Sequence, residues 1–73
     1  MQQRLGRSIS LVVNGEAVAT CARTLSELVA ERGFAESAVA TARNGDFVPR
    51  PARSEAELAP GDRIEIVAPR QGG

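Results

Sequence analysis

The chain has 73 residues, the length of one small domain, and a domain this short buries only roughly 60% of its unfolded surface, leaving little room for a deep substrate cavity. Nine arginines balance nine acidic residues, with no lysine and no histidine. The zero net charge argues against nucleic acid or an anionic membrane as the main partner, and the missing His and Lys exclude Ser-His-Asp triads, Cys-His dyads and Schiff-base chemistry.

Residues 1–7 read as a polar lead-in without the apolar stretch of a signal peptide. Ser8 to Val13 alternates, with Ile9, Leu11 and Val13 on one side, and reads as a strand. Asn14-Gly15 follows, a pair suited to a two-residue hairpin because both residues tolerate positive φ. A second strand is expected over Glu16 to Cys21, its facing ambiguous because Ala17, Ala19 and Cys21 compete with Val18 and Thr20.

Thr24-Leu25-Ser26-Glu27 matches a capping box, with Thr24 as N-cap. Leu25, Leu28 and Val29 form an apolar stripe at helical spacing, and Gly33 ends the helix. A helix of about nine residues is too short to stand alone, so it must pack on the sheet. Ala38 to Arg43 is helix-compatible by alanine propensity, but the following Asn44-Gly45 favours a strand and a second hairpin. Phe47 and Val48 continue into a short strand that Pro49 stops. A polar connector runs to Ala59, with Leu58 as its expected core anchor. Pro60-Gly61 suits the centre of a type II turn, and Asp62 to Val67 forms the last strand, with Ile64 and Ile66 inward. The tail from Pro69 to Gly73 has no means of joining the core and is expected to project as a flexible arm.

The order is hairpin, helix, hairpin, connector, last strand, tail. In such a domain the helix covers one face of a mixed sheet, and the last strand can lie parallel beside the first.

This order resembles the ubiquitin-like β-grasp fold, and within it the ThiS family of sulfur carriers in thiamine biosynthesis. The resemblance rests on Val13-Asn14-Gly15-Glu16, Thr24-Leu25 with Leu28, and Asn44-Gly45 with Val48-Pro49-Arg50. It continues through Leu58, Gly61-Asp62, Ile64-Glu65-Ile66-Val67 and the ending Gln71-Gly72-Gly73. The polar lead-in and the Ala-rich third strand depart from the family pattern. The fold implied is α+β: a mixed four- to five-stranded sheet on one main helix over residues 8–68, flanked by the lead-in 1–7 and the flexible tail 69–73.

The resemblance also implies a chemistry. A C-terminal carboxylate is ionised at neutral pH and is a poor electrophile, so it must be activated before it takes up sulfur. In the family a separate ubiquitin-activating-like adenylyltransferase of the ThiF type uses Mg-ATP to adenylate the terminal glycine, here Gly73. Sulfur from a cysteine desulfurase or another persulfide donor then gives a thiocarboxylate, which a ThiG-type thiazole synthase consumes. Glycine suits this role: it has no Cβ to shield the carbonyl or to keep the backbone from the activating site. Pro69, Arg70, Gln71 and Gly72 are the expected recognition segment. The chain is thus expected to be a protein substrate without catalytic residues, bound cofactor or metal of its own.

Cys21 is the only cysteine, which excludes an internal disulfide and fits a cytoplasmic protein. No His activates it, and its strand position reads as a small buried hydrophobe rather than a persulfide thiol. For Phe47 beside Val48, core packing is the favoured reading and a partner-facing patch the alternative. Arg50 and Arg63 read as exposed charge, and Asp62 as a turn cap. Rival functions are a sulfur carrier for molybdopterin, cysteine or tRNA thiolation, and a ubiquitin-like binding module without covalent chemistry.

Overall fold

The computed structural model describes residues 8–68. Strands β1 (Ile9–Val13) and β2 (Glu16–Thr20) form an antiparallel hairpin. Helix α1 (Leu25–Glu31) follows, then a 3-10 turn (Glu36–Ala38) and the hairpin of β3 (Ala40–Arg43) and β4 (Asp46–Val48). A second 3-10 segment (Arg50–Glu55) leads to β5 (Arg63–Val67). The sheet order is β2-β1-β5-β3-β4, with β5 parallel to β1 and antiparallel to β3. The sheet has five strands, within the four to five expected of the β-grasp.

Local sequence explains most of these elements. Asn14 and Gly15 take φ of 51° and 86°, and Asn44 and Gly45 take 52° and 90°. Positive φ at both centre residues is the type I′ geometry whose twist matches paired strands. At the start of α1, Thr24 Oγ1 accepts from the Glu27 amide at 3.2 Å, and Glu27 Oε1 accepts from the Arg23 amide at 2.7 Å. The reciprocal cap therefore reaches one residue further back than a standard capping box. At the other end Gly33 sits at φ 85°. Its amide donates to Ala30 O and the Phe34 amide to Val29 O, the paired bonds of a Schellman cap. At the last turn Gly61 takes φ 87°, and the Asp62 amide donates to Ala59 O at 3.1 Å, as a type II turn requires.

The core lies between α1 and one sheet face. It comprises Leu11, Val13, Leu25, Leu28, Val29, Val39, Ile64 and Ile66, with Leu58 half-buried against it. Removing each Leu, Ile or Val side chain from water contributes roughly 1.5–3 kcal/mol. That is how a seven-residue helix persists: its stability comes from packing its apolar face.

Two expectations are corrected here. Cys21 is exposed, not buried, because β2 ends at Thr20 and the cysteine falls beyond the last paired residue. Phe47 is 69% exposed, so core packing is overturned for it. Its register explains this. Phe47 lies opposite Ala42, the neighbour of buried Thr41, and successive strand residues face opposite sides.

Candidate functional site

The residues expected to carry the chemistry, Gly73 and the segment Pro69, Arg70, Gln71 and Gly72, lie outside the described residues. The structure does describe the strand that leads to them and the surface around its end.

β5 is the central strand, paired on both sides. Ile64 and Ile66 face the core, while Arg63, Glu65 and Val67 are exposed. Val67 lies opposite Ala40, and Glu65 opposite Ala42, which is in turn opposite Phe47. The face of the sheet turned away from α1 thus carries Phe47, Ala42, Ala40 and Val67 as neighbouring apolar side chains, with Val67 57% exposed. This patch adjoins the point at which the chain leaves the sheet. Val48 points the other way, half-buried against the core. Of the two residues considered for a partner surface, Phe47 is the one on the outer face.

Two asparagines grip β5. Asn14 Oδ1 accepts from the Ile66 amide at 2.9 Å, and its Nδ2 donates to Ile66 O at 3.2 Å. Asn44 Oδ1 accepts from the Arg63 amide at 2.9 Å, and its Nδ2 donates to Asp62 Oδ1 at 3.1 Å. Asparagine at these places is expected from turn geometry. Nothing local in the sequence signals that the carboxamides reach a strand 52 residues away in one case and 19 in the other.

Asp62 caps the turn before β5, as expected. Its Oδ2 accepts from the Ala59 amide at 2.9 Å and pairs with Arg43 Nε at 3.1 Å. Burial works to raise its pKa, but the Ala59 amide, the Asn44 carboxamide and the Arg43 guanidinium outweigh it and hold the carboxyl below its ordinary value. Both carboxylate oxygens are engaged, and they join the turn before β5 to Arg43 and Asn44 of the second hairpin.

An open cleft of about 540 Å³ lies beside the start of α1, walled by Cys21, Arg23, Thr24, Glu27, Glu57 and Leu58 among others. It sits near the beginning of β5, where the Gly61 amide bonds Ser10 O, and so at the opposite end of the sheet from Val67. Glu27 is committed to the helix cap. Among the described residues no three His, Cys, Asp or Glu side chains converge in a way that could hold a metal ion, and no described helix is long and apolar enough to cross a membrane.

The family model described as the ThiS family matches residues 5–73, nearly the whole sequence and including the terminal Gly72-Gly73. The chain belongs to the ThiS family. Solved structures agree with this assignment. The crystal structure of a thiamine biosynthesis protein (ThiS) from Geobacter metallireducens is 26% identical to this chain, with a TM-score of 0.73 over 89% of this chain and 100% of that one. An NMR solution structure of a thiamine biosynthesis protein from the same organism gives the same identity and TM-score over 89% of this chain and 88% of that one. No curated protein matches the sequence. The ubiquitin-like β-grasp expected from the order of elements is therefore the ThiS fold.

Proposed function

We propose that this ThiS-family chain is a sulfur carrier for thiazole formation in thiamine biosynthesis, and that the covalent carrier group is the carboxylate of Gly73. The observation that carries this reading is the family match, which runs through the β-grasp body to Gly72-Gly73. Its thiamine direction is supported by the two solved neighbours, both named as thiamine biosynthesis proteins.

A Gly73 carboxylate oxygen attacks the α-phosphorus of ATP on a ThiF-type partner. The bond to pyrophosphate breaks, and an acyl-adenylate forms. The terminal sulfur of a persulfide then attacks the carbonyl carbon, and AMP leaves with the electron pair of its bond. The resulting acyl disulfide is cleaved by a second thiol, which becomes part of a disulfide, and the thiocarboxylate is released. A ThiG-type synthase takes the sulfur. ATP and magnesium belong to the partner, and a reaction that consumes ATP fits a cytoplasmic carrier.

The body's part is recognition. Phe47 and Val67, with Ala40 and Ala42, form the apolar surface nearest the departing chain, and aromatic anchors of this kind often dominate interface energetics. The tail from Pro69 to Gly72 is the segment the partner reads.

The test is a one-residue extension. Carrier-dependent ATP–pyrophosphate exchange by the adenylyltransferase is measured with the native chain and with alanine added after Gly73. The covalent reading expects exchange with the first only. Equal activity in a thiamine-dependent growth assay with the extended chain favours a non-covalent binding module instead.

A further inference from the structure

In a parallel pair of strands, alternate residues turn their amide and carbonyl toward the neighbouring strand, and the bonds that join the two are evenly spaced. β1 and β5 begin this way. The Val12 amide donates to Asp62 O and the Asn14 amide to Ile64 O, both at 2.9 Å. The next bonds would join Ile66 to the backbone beyond Val13, but there the chain turns into the Asn14-Gly15 hairpin and β1 ends. The Asn14 carboxamide takes over: its oxygen receives the Ile66 amide and its nitrogen donates to the Ile66 carbonyl. One side chain substitutes for the missing peptide groups and carries the ladder to the last buried residue of β5.

We propose that Asn14 is a positioning residue for the carboxyl-terminal arm. By fixing both backbone groups of Ile66 it holds the point from which the chain leaves the sheet, and so the origin from which the arm reaches a partner's site. This rests on the carrier reading above. Without the carboxamide, the Ile66 amide and carbonyl on that side have only water to bond. The end of β5 would then fray, and holding a reacting group in one geometry is worth a large part of a catalysed rate.

The second hairpin supplies an internal control. Asn44 occupies the same type I′ position at nearly the same φ and also grips β5, but at Arg63, where the strand begins. Asn14→Gly and Asn44→Gly both keep a residue that tolerates the turn, and both lose a bidentate side-chain contact. A purely structural role makes the two equivalent. A positioning role separates them.

The full-length variants are first compared by unfolding, and by hydrogen exchange at Ile66 and Val67. They are then assayed for carrier-dependent ATP–pyrophosphate exchange with a ThiF-type adenylyltransferase and Mg-ATP. Asn14→Gly is expected to speed exchange of the Ile66 amide by about tenfold or more. It should also lower kcat severalfold with KM nearly unchanged, because the body still docks. Asn44→Gly should leave kcat at the native value. Partial unfolding behaves differently: it lowers the folded concentration and raises apparent KM alone. Asn14→Asp keeps an acceptor for the Ile66 amide but sets an oxygen against the Ile66 carbonyl, so it should fall on the Asn14→Gly side. An unchanged kcat in Asn14→Gly, or an equal fall in both glycine variants, overturns the proposal. Failure of the native chain to support exchange, with an enzyme active on another carrier, sinks the carrier reading instead.

Discussion

The guanidinium of Arg53 donates to the hydroxyl of Thr41 at 3.0 Å in the interior, where Arg53 is only 2% exposed. Its other nitrogens reach Glu36 O at 2.8 Å and Val39 O at 2.7 Å, and the Thr41 hydroxyl passes the chain on to Val48 O at 2.9 Å. No carboxylate takes part in these contacts. A buried cation is tolerated here because its fixed fork matches three oxygens at once, and it ties the 3-10 connector, β3 and β4 together.

Arg53→Met is accordingly expected to destabilise the domain by about 2–4 kcal/mol, since it takes the donor from the buried Val39 carbonyl, the part-buried Glu36 carbonyl and the Thr41 hydroxyl oxygen. Arg53→Lys should recover only part of the loss, because one ammonium cannot reach all three acceptors. Urea unfolding measures both. A loss under about 0.5 kcal/mol for the Met variant, the size of an ordinary surface change, would show that the fork is dispensable.

Asp62 predicts an acid-sensitive turn. Its folded pKa lies below the ordinary value, so its charged form contributes stability that is complete above about pH 4. That contribution falls away as pH drops through the lower folded value. Asp62→Asn should therefore be less stable than the native chain at neutral pH, and the gap should close in more acidic solution. A gap that stays constant or widens as pH falls contradicts the assignment.

Cys21 is expected to react with a thiol reagent in the native state nearly as fast as in denaturant, because it is exposed beyond the end of β2. Cys21→Ala should leave carrier activity and unfolding midpoint unchanged. Strong native-state protection would mean that the residue is covered.

Phe47→Ala should change stability by less than about 0.5 kcal/mol, as an exposed side chain does. If the outer face is the docking surface, it should weaken binding to the adenylyltransferase by tenfold or more, about the effect of losing an interface anchor. Titration calorimetry reads this directly. Unchanged affinity would move the docking surface elsewhere.

What the sequence discloses here is what short-range physics decides. The alternation of Ile9, Leu11 and Val13, the two Asn-Gly turns, the Thr24 cap, the Gly33 stop and the inward pair Ile64 and Ile66 all follow from neighbours in the chain. The ambiguous Ala38–Arg43 stretch splits: Ala38 closes a 3-10 turn, and β3 begins at Ala40 because β5 is there to pair with it. Arg53 was hidden in a polar connector because the acceptors that bury it lie on a turn and a strand earlier in the chain. Core packing is the favoured reading of Phe47 beside Val48, and only its register opposite Ala42 puts it outside. The grip of Asn14 on Ile66 depends on strand order, which no local pattern encodes.

In the proposed function, Gly73 carries sulfur as a thiocarboxylate. The most direct measurement is the intact mass of the chain after incubation with Mg-ATP, its adenylyltransferase and a persulfide donor, beside a Gly73-deleted chain and Cys21→Ala. A sulfur-for-oxygen mass gain is expected in the native chain and in Cys21→Ala, and none in the deletion. A gain that survives deletion of Gly73 but vanishes in Cys21→Ala would place the sulfur on the cysteine and contradict it.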